Sequence, residues 1–403
     1  MNKDTSRSRF YLNPKKSNRD YPSFLNEFLS MKDAEEAYNE ITEWQKYAPT
    51  SLVPLKNMAA SLGIENIYYK DESKRFNLGS FKALGGAYGV MQYLKKKIQE
   101  KISADVSTED IRCKKYVDLT QDLVVTTATD GNHGRSVAYG ASLFGCKCRI
   151  FIHSEVSVGR KRAMEKFGAE VIRVKGNYDD SLKECINEAN KNNWQIISDT
   201  SYQGYMEYPR FIMAGYTVLA REIVNQLSKK TLPTHIFLQA GVGGFAAAMC
   251  TIFLNEWGGE NIKIIVVEPN YAPCLIESAI DGEPKVFDIK KETIMTGLSC
   301  GEPSILAWEI LSQCTDLFMT ISDDKIPELM RIMANGYEND IGVEAGECSV
   351  SGLAALSALK NNDYLVNKLD INDKSRVLLI GTEGATDPDI YESIIQNSQI
   401  RKN

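Results

Sequence analysis

Apolar residues recur along this chain in two alternating rhythms. Short β-branched or aliphatic runs are followed by stretches in which apolar side chains return every third or fourth position. Residues 123–129 form a β-branched run and predict a buried strand. Residues 135–144 follow with helical spacing, and Gly145 stands where that helix should stop. Residues 146–153 predict the next strand, 160–167 a helix closed by Gly168, and 170–174 a strand again. Residues 181–191 read as helix, 194–198 as extended and 209–227 as a long helix. The runs 235–239, 262–267 and 376–380 are short apolar strands. Upstream, 35–47 reads as a surface helix, and 51–55 and 66–70 as extended. Phe81, Leu84, Tyr88, Met91, Leu94 and Ile98 recur at helical steps, so a helix starts near Ser80, a suitable N-cap. Strand–helix alternation of this kind argues for parallel sheets covered by helices on both faces, an α/β fold. Two stretches break the rhythm. Residues 1–30 read as a polar arm, and 95–122 as a charged, partly helical surface insert.

Composition narrows the class. At 403 residues the chain exceeds one ordinary core, so two domains are expected. Apolar residues at 43% and charged residues at 25% are those of a soluble globular protein. A net charge of −6 gives no reason to expect nucleic acid. No apolar run is long enough to span a bilayer. Residues 1–20 lack the apolar core of a secretory signal, so a cytoplasmic protein is expected. Nine cysteines are scattered without metal-ligand spacing. Cys146 and Cys148 fall on opposite faces of one expected strand. Reduced thiols fit this pattern better than a disulfide framework. Three histidines are too few and too dispersed to suggest a metal centre.

Four segments can carry chemistry. In Asn77-Leu78-Gly79-Ser80-Phe81-Lys82, Lys82 falls in the first turn of the expected helix. A cation is disfavoured at that end of the helix dipole, so the amine's pKa should fall, which suits a lysine that forms an imine. A solvated lysine is the plainer reading. In Thr126-Thr127-Ala128-Thr129-Asp130-Gly131-Asn132-His133-Gly134, a turn joins strand to helix at the carboxyl edge of a parallel sheet. Its amides suit an anion such as a carboxylate, and Asn132 suits a phenolic oxygen. An ordinary tight turn explains it equally well. Gly241-Val242-Gly243-Gly244 opens a helix and makes an amide nest for phosphate. Gly241, Gly243 and Ala246 also satisfy a dinucleotide fingerprint, with Glu268 placed as its ribose ligand. Thr382 ends a strand near the C-terminus, where its hydroxyl can meet a ring nitrogen or simply belong to a loop.

Taken together, in this order and spacing, the four segments resemble the fold-type II pyridoxal-phosphate enzymes of the tryptophan-synthase-β kind. The resemblance covers residues 50–390. Within that group the chain is most similar to the diaminopropionate ammonia-lyases. That likeness rests on Lys70-Asp71-Glu72-Ser73, Arg75-Phe76, Thr127 to Arg135, Gly297-Leu298-Ser299-Cys300-Gly301-Glu302-Pro303 and Thr382-Glu383-Gly384-Ala385-Thr386-Asp387-Pro388. One departure is Gly79-Ser80, where that family usually has Asn-Ala and the serine and threonine dehydratases read more like this chain.

The resemblance implies two open, twisted, mostly parallel sheets covered by helices. It implies a large cofactor-binding domain from 1–88 and 205–403, and a small domain from 89–204 carrying the carboxylate turn and the charged insert. It implies pyridoxal 5′-phosphate bound to Lys82 as a Schiff base. Phe81 would lie beside the ring, Asn132 on its 3′-oxygen, Gly241, Val242, Gly243 and Gly244 on its phosphate, and Thr382 at its pyridine nitrogen. A neutral hydroxyl there makes a milder electron sink than a carboxylate and suits β-elimination. Dehydratases of this fold carry a small residue where Asp130 stands. Asp130 would take the α-proton from the face opposite Lys82, or engage a second substrate amine. Asp199 would assist, with a turn or helix cap as its alternative role. The implied reaction is elimination from 2,3-diaminopropionate, as either enantiomer, to pyruvate and ammonia. The alternative is a serine or threonine dehydratase. A nicotinamide-dependent dehydrogenase leaves Lys82 and the Asp130 turn unexplained, and a non-catalytic binding protein leaves the lysine and phosphate loop unexplained. Cys274 and Cys300 would lie near the site, as reduced thiols or as a reversible disulfide. A small amino acid is the implied substrate, and a homodimer the implied assembly, with no metal, nucleic acid or membrane partner.

Overall fold

The computed structural model describes residues 7–16 and 20–396. The start of the expected polar arm and the last residues of the expected large domain lie outside the described residues. Eleven strands are described: β1 (Phe10–Leu12), β2 (Ser51–Pro54), β3 (Asn66–Asp71), β4 (Val124–Ala128), β5 (Lys147–Ile152), β6 (Glu170–Arg173), β7 (Gln195–Ile196), β8 (His235–Gln239), β9 (Lys263–Pro269), β10 (Leu317–Ile321) and β11 (Arg376–Gly381).

The chain divides into two compact units. The first comprises Met1–Met31, Pro49–Ser80 and Leu219–Asn403, and the second Lys32–Ala48 and Phe81–Val218. Residues 32–48, 81–88 and 205–218, assigned to the large domain from sequence, thus fall in the second unit by backbone contact.

The first unit holds a seven-stranded sheet in the order β1-β10-β9-β8-β11-β3-β2. Its five inner strands run parallel, and β1 and β2 close the edges antiparallel. All of β8 and β10 is buried, which is why they read as unbroken apolar runs rather than alternating ones. The second unit holds a wholly parallel four-stranded sheet, β6-β5-β4-β7. Two mostly parallel sheets flanked by helices match the expected class.

Several local expectations need correction. Part of the polar arm is a strand, because Phe10 to Leu12 pair with Met319 to Leu317 at the sheet edge. Residues 95–122 are not merely a surface insert. The helix Lys82–Ile102 continues into them, and Ile98, Val106 and Ile111 are buried. Ser80 is not the helix cap. Phe81 holds that position without a side-chain bond, while the Ser80 backbone makes an antiparallel bridge to Glu383.

Candidate active site

The groups able to move protons lie in the second unit. Lys82 is the first residue of its helix, and its Nζ donates to Asp199 Oδ2 at 2.6 Å. Both side chains are about four-fifths buried, at 22% and 19% exposure. The carboxylate supplies the counter-charge that a lysine at a helix N-terminus otherwise lacks. The Lys82 carbonyl accepts from Ser136 Oγ at 2.6 Å, and Ser136 Oγ accepts the Ala87 N–H at 3.1 Å. This clamps Lys82 to the helix Asn132–Phe144. The two helices pass so closely that a Cβ on Gly140 would lie 2.7 Å from Ala87 Cα. Phe81 tilts against Tyr216 with ring centroids 4.8 Å apart.

Asp199 follows β7 in a braced segment. The Tyr205 hydroxyl donates to Ile196 O at 2.8 Å and accepts the Ser198 N–H at 3.0 Å. Buried His133 reaches the same segment, with Nε2 2.8 Å from Ile197 O and Nδ1 3.7 Å from Asp199 Oδ2. Burial alone would raise the Asp199 pKa, but Lys82 and His133 override it and hold the carboxyl well below its ordinary range. Burial lowers the pKa of His133, with Lys82 acting the same way and Asp199 opposing.

Thr129 shapes the turn before that helix, its Oγ1 accepting the Gly131 and Gly134 N–H groups at 3.1 Å each. Asn132 is the first residue of the helix. Asp130 Oδ1 lies 3.0 Å from His153 Nε2. His153 Nδ1 accepts the Glu155 N–H at 3.3 Å, so Nε2 carries the proton in the neutral ring.

The groups able to hold a phosphorylated ring lie in the first unit. The Gly241–Gly244 loop leaves β8 and opens the helix Gly244–Trp257, whose cap, Gly243, has φ +97° and no side-chain bond. A Cβ on Gly241 would meet Cys300 Sγ at 2.8 Å, so no larger residue fits. Gln239 Nε2 donates to Ile380 O at 2.7 Å, Cys348 O at 3.2 Å and Thr382 Oγ1 at 3.1 Å. Because the Thr382 hydroxyl accepts from Gln239, its own proton is left to give to a ring nitrogen. Just beyond Thr382, Gly384 N donates to Gly79 O at 2.9 Å beside the Ser80–Glu383 bridge. The chain entering Lys82 is thus tied to the chain leaving Thr382 within one unit.

This donor set of the first unit suits pyridoxal phosphate, with backbone amides for a phosphate and a hydroxyl for a ring nitrogen. It does not fit a dinucleotide. The carboxyl of Glu268 accepts the Leu275 and Ile276 N–H groups at 2.7 and 2.8 Å, which leaves it no role on a ribose. Burial, opposed by those two bonds, pushes its pKa up to about 8.

A family profile described as pyridoxal-phosphate dependent enzyme matches residues 44–383. A diaminopropionate ammonia-lyase from Salmonella typhimurium is 40% identical over 365 residues, 88% of this chain and 89% of that protein. The chain belongs to the diaminopropionate ammonia-lyase family. The crystal structure of the holo enzyme from Escherichia coli superposes with a TM-score of 0.87 at 34% identity, covering 98% of each chain. The same holds for the Escherichia coli enzyme in complex with D-serine, also at a TM-score of 0.87. The chain is a fold-type II, pyridoxal-phosphate-dependent ammonia-lyase.

Two features escaped sequence reasoning. His133 and Gln239 sat inside quoted segments without a role. A polar residue closing the apolar run of β8 was the available signal for Gln239. Further, the family residues Lys70, Glu72 and Arg75 form a buried ion network with Glu222, which sequence alone did not bring together. Lys70 Nζ lies 2.7 Å from Glu222 Oε2, and Arg75 bonds both Glu72 and Glu222 at 2.7–2.9 Å. Cys274 and Cys300 carry free thiols. Among the described residues no cluster could hold a metal ion, and no helix is long and apolar enough to cross a membrane.

Proposed function

We propose that the chain converts 2,3-diaminopropionate and water to pyruvate and two ammonia by α,β-elimination, accepting either enantiomer. The observation that carries the chemistry is the Lys82–Asp199 pair at 2.6 Å, at the start of a helix whose approach is tied to the Thr382 segment. The substrate rests on the 40% identity to the Salmonella typhimurium enzyme and on Asp130, the carboxylate in the turn.

In this reading Lys82 binds the cofactor covalently, Phe81 packs beside it and Asn132 bonds its phenolic oxygen. The amides of Gly241, Val242, Gly243 and Gly244 hold its phosphate, and Thr382 donates to its ring nitrogen. Bound there, pyridoxal phosphate supplies the electron sink that makes the substrate's α-proton acidic. Lys82 Nζ removes that proton from one enantiomer and Asp130 from the other, the second oriented by His153. Asp199 holds the Lys82 ammonium between turnovers. The unit bearing Lys82 and the carboxylate turn is the catalytic domain, and the unit bearing the glycine loop is the phosphate-holding one. We place the enzyme in the cytoplasm as a homodimer, consistent with its free cysteines and its family.

The test is a visible spectrum of the purified protein before and after DL-diaminopropionate, with borohydride fixation and product analysis. A cofactor band that borohydride abolishes, and pyruvate release from diaminopropionate faster than from serine or threonine, are expected. No turnover of either enantiomer would overturn the assignment, and faster release from serine or threonine would favour the dehydratase.

A further inference from the structure

Three histidines are present in this chain, and two of them lie within 4 Å of the carboxylates of Asp199 and Asp130. They face them differently. His153 brings its protonated Nε2 to 3.0 Å from Asp130 Oδ1. His133 is inverted. Its Nε2 is 2.8 Å from the Ile197 carbonyl, which can only accept, so Nε2 carries the proton. In the neutral ring Nδ1 is therefore a bare lone pair. It is buried, makes no hydrogen bond and lies 3.7 Å from Asp199 Oδ2. A lone pair facing a carboxylate is repulsive unless a proton is available to lie between them.

That carboxylate already holds Lys82 Nζ at 2.6 Å. Lys82, Asp199 and His133 thus form a series in which Asp199 Oδ2 lies 2.6 Å from a proton donor and 3.7 Å from an unfilled proton acceptor. We propose that His133 is the proton store of the Lys82–Asp199 pair, taking up at Nδ1 the proton that Lys82 must shed before its amine can react. The Nζ–H bond breaks and the Nδ1–H bond forms, with Asp199 Oδ2 as the bridge. Lys82 goes from cation to neutral amine, His133 from neutral to cation, and Asp199 stays an anion. The net charge of this buried trio does not change, so no uncompensated charge is created. When Lys82 is regenerated, the proton returns by the same route.

The surrounding groups leave this path open. Tyr205 and Tyr216 are the other titratable groups coupled to Asp199 or Lys82. Burial pushes both phenols well up, so they stay protonated and do not compete for the proton. Asp199 itself stays ionised because the Lys82 ammonium opposes the effect of burial. His133 is thereby a positioning residue: it acts on Lys82 through Asp199.

The inference rests on Lys82 being the reacting amine, but its test does not use turnover. Nitrogen-15 imidazole spectra of the full-length protein resolve three histidines and report both tautomer and titration. In the wild-type apoprotein His133 should appear as the Nε2–H tautomer at neutral pH. In Lys82→Ala, and in wild type loaded with pyridoxal phosphate, the proton affinity of His133 should rise at least about tenfold, one pH unit. In Asp199→Asn it should fall. His133→Gln keeps a donor for Ile197 O but lacks the base. Reductive methylation of Lys82, followed by mass spectrometry, should slow in that variant at pH 7 and match wild type at alkaline pH. A His133 titration unmoved by Lys82→Ala, or a neutral Nδ1–H tautomer, overturns the proposal. Borohydride fixation of the cofactor tests Lys82 separately, so failure of one reading is distinguishable from failure of the other.

Discussion

Replacing Thr382 with valine isolates the hydroxyl that faces the cofactor's ring nitrogen in the proposed function. The two side chains are nearly isosteric, and the site is 4% exposed, so the packing of β8 and β11 should survive. The variant loses the oxygen that accepts from Gln239 Nε2 at 3.1 Å. That amide keeps Ile380 O at 2.7 Å and Cys348 O at 3.2 Å, so it is not orphaned. The loss in apoprotein stability should therefore be about 1 kcal/mol or less. Cofactor affinity should fall by one neutral buried hydrogen bond, about 0.5–1.5 kcal/mol, or roughly 2- to 12-fold. Thr382→Ser should restore it, because the hydroxyl and its acceptor geometry return. Gln239→Leu should weaken affinity less, since the hydroxyl remains but loses the partner that aims it. Titration of apoprotein with pyridoxal phosphate, followed by tryptophan fluorescence, reads the affinity, and urea midpoints read the stability. Unchanged affinity in Thr382→Val, with Lys82 still capturing the cofactor, would show that the hydroxyl does not face the ring nitrogen.

Arg75→Met should cost about 3–5 kcal/mol in urea unfolding, because Glu72 and Glu222 are left buried without their shared cation; a loss under about 1 kcal/mol would refute this. The Glu222 pKa is depressed, since Arg75 and Lys70 override the effect of burial. Its contribution is full above the unfolded value of about 4.3 and is lost as pH falls through the lower folded value, so Arg75→Met should unfold at higher pH than wild type in a circular-dichroism titration. Gly243→Ala puts a Cβ at φ +97°, 3.0 Å from Leu311 Cδ1 and 3.1 Å from Ala307 Cβ, and should destabilise by about 1–2 kcal/mol while weakening phosphate-bearing ligands in equilibrium dialysis. In a double-mutant cycle read by pH profiles of Lys82 labelling, Asp199→Asn and His133→Gln should be strongly non-additive, whereas Thr382→Val and His133→Gln should add within about 0.5 kcal/mol.

Much of the fold was legible because its strands are buried on both faces. The run 235–239 was expected as a strand and is one residue for residue. Gly145 was expected to end a helix and does so in the left-handed conformation. The strand β10 was missed for a physical reason. The preceding helix Ile305–Cys314 is apolar on nearly every side, and no glycine or proline separates it from the strand to mark where one ends and the other begins. Phe10 to Leu12 went unread because a three-residue edge strand is specified by its partner rather than by its own pattern. The site divides the same way. Residues that act through their backbone or position, such as Gly241 and Gly243, were readable as motifs. Glu222 was not, because it enters the Lys70–Arg75 network from a helix far along the chain. Glu268 shows the converse, a residue correctly spaced for a ribose but occupied by backbone amides.

The separation of roles between the units has a physical basis. Lys82, Asp130, Asn132, His133 and Asp199 all belong to the unit Phe81–Val218, whereas Gln239, Gly241–Gly244 and Thr382 belong to the other, and the boundary falls at the peptide before Phe81. Proton transfer depends steeply on donor–acceptor distance, so its participants must be held by one packed body. Here that body is the close crossing of two helices pinned by Ser136, together with the segment braced by Tyr205. In the proposed function, phosphate and ring recognition is spread over several amides and one hydroxyl, each contributing modestly, and tolerates small displacements better. Lys82 must serve both functions, and its two connections reflect this. Its amine is set by Asp199 within its own unit, while the chain leading to it is set by the Gly79–Gly384 bond in the other. Changes to the amine's partners should therefore alter when Lys82 reacts, and changes to that chain should alter how tightly the cofactor is held.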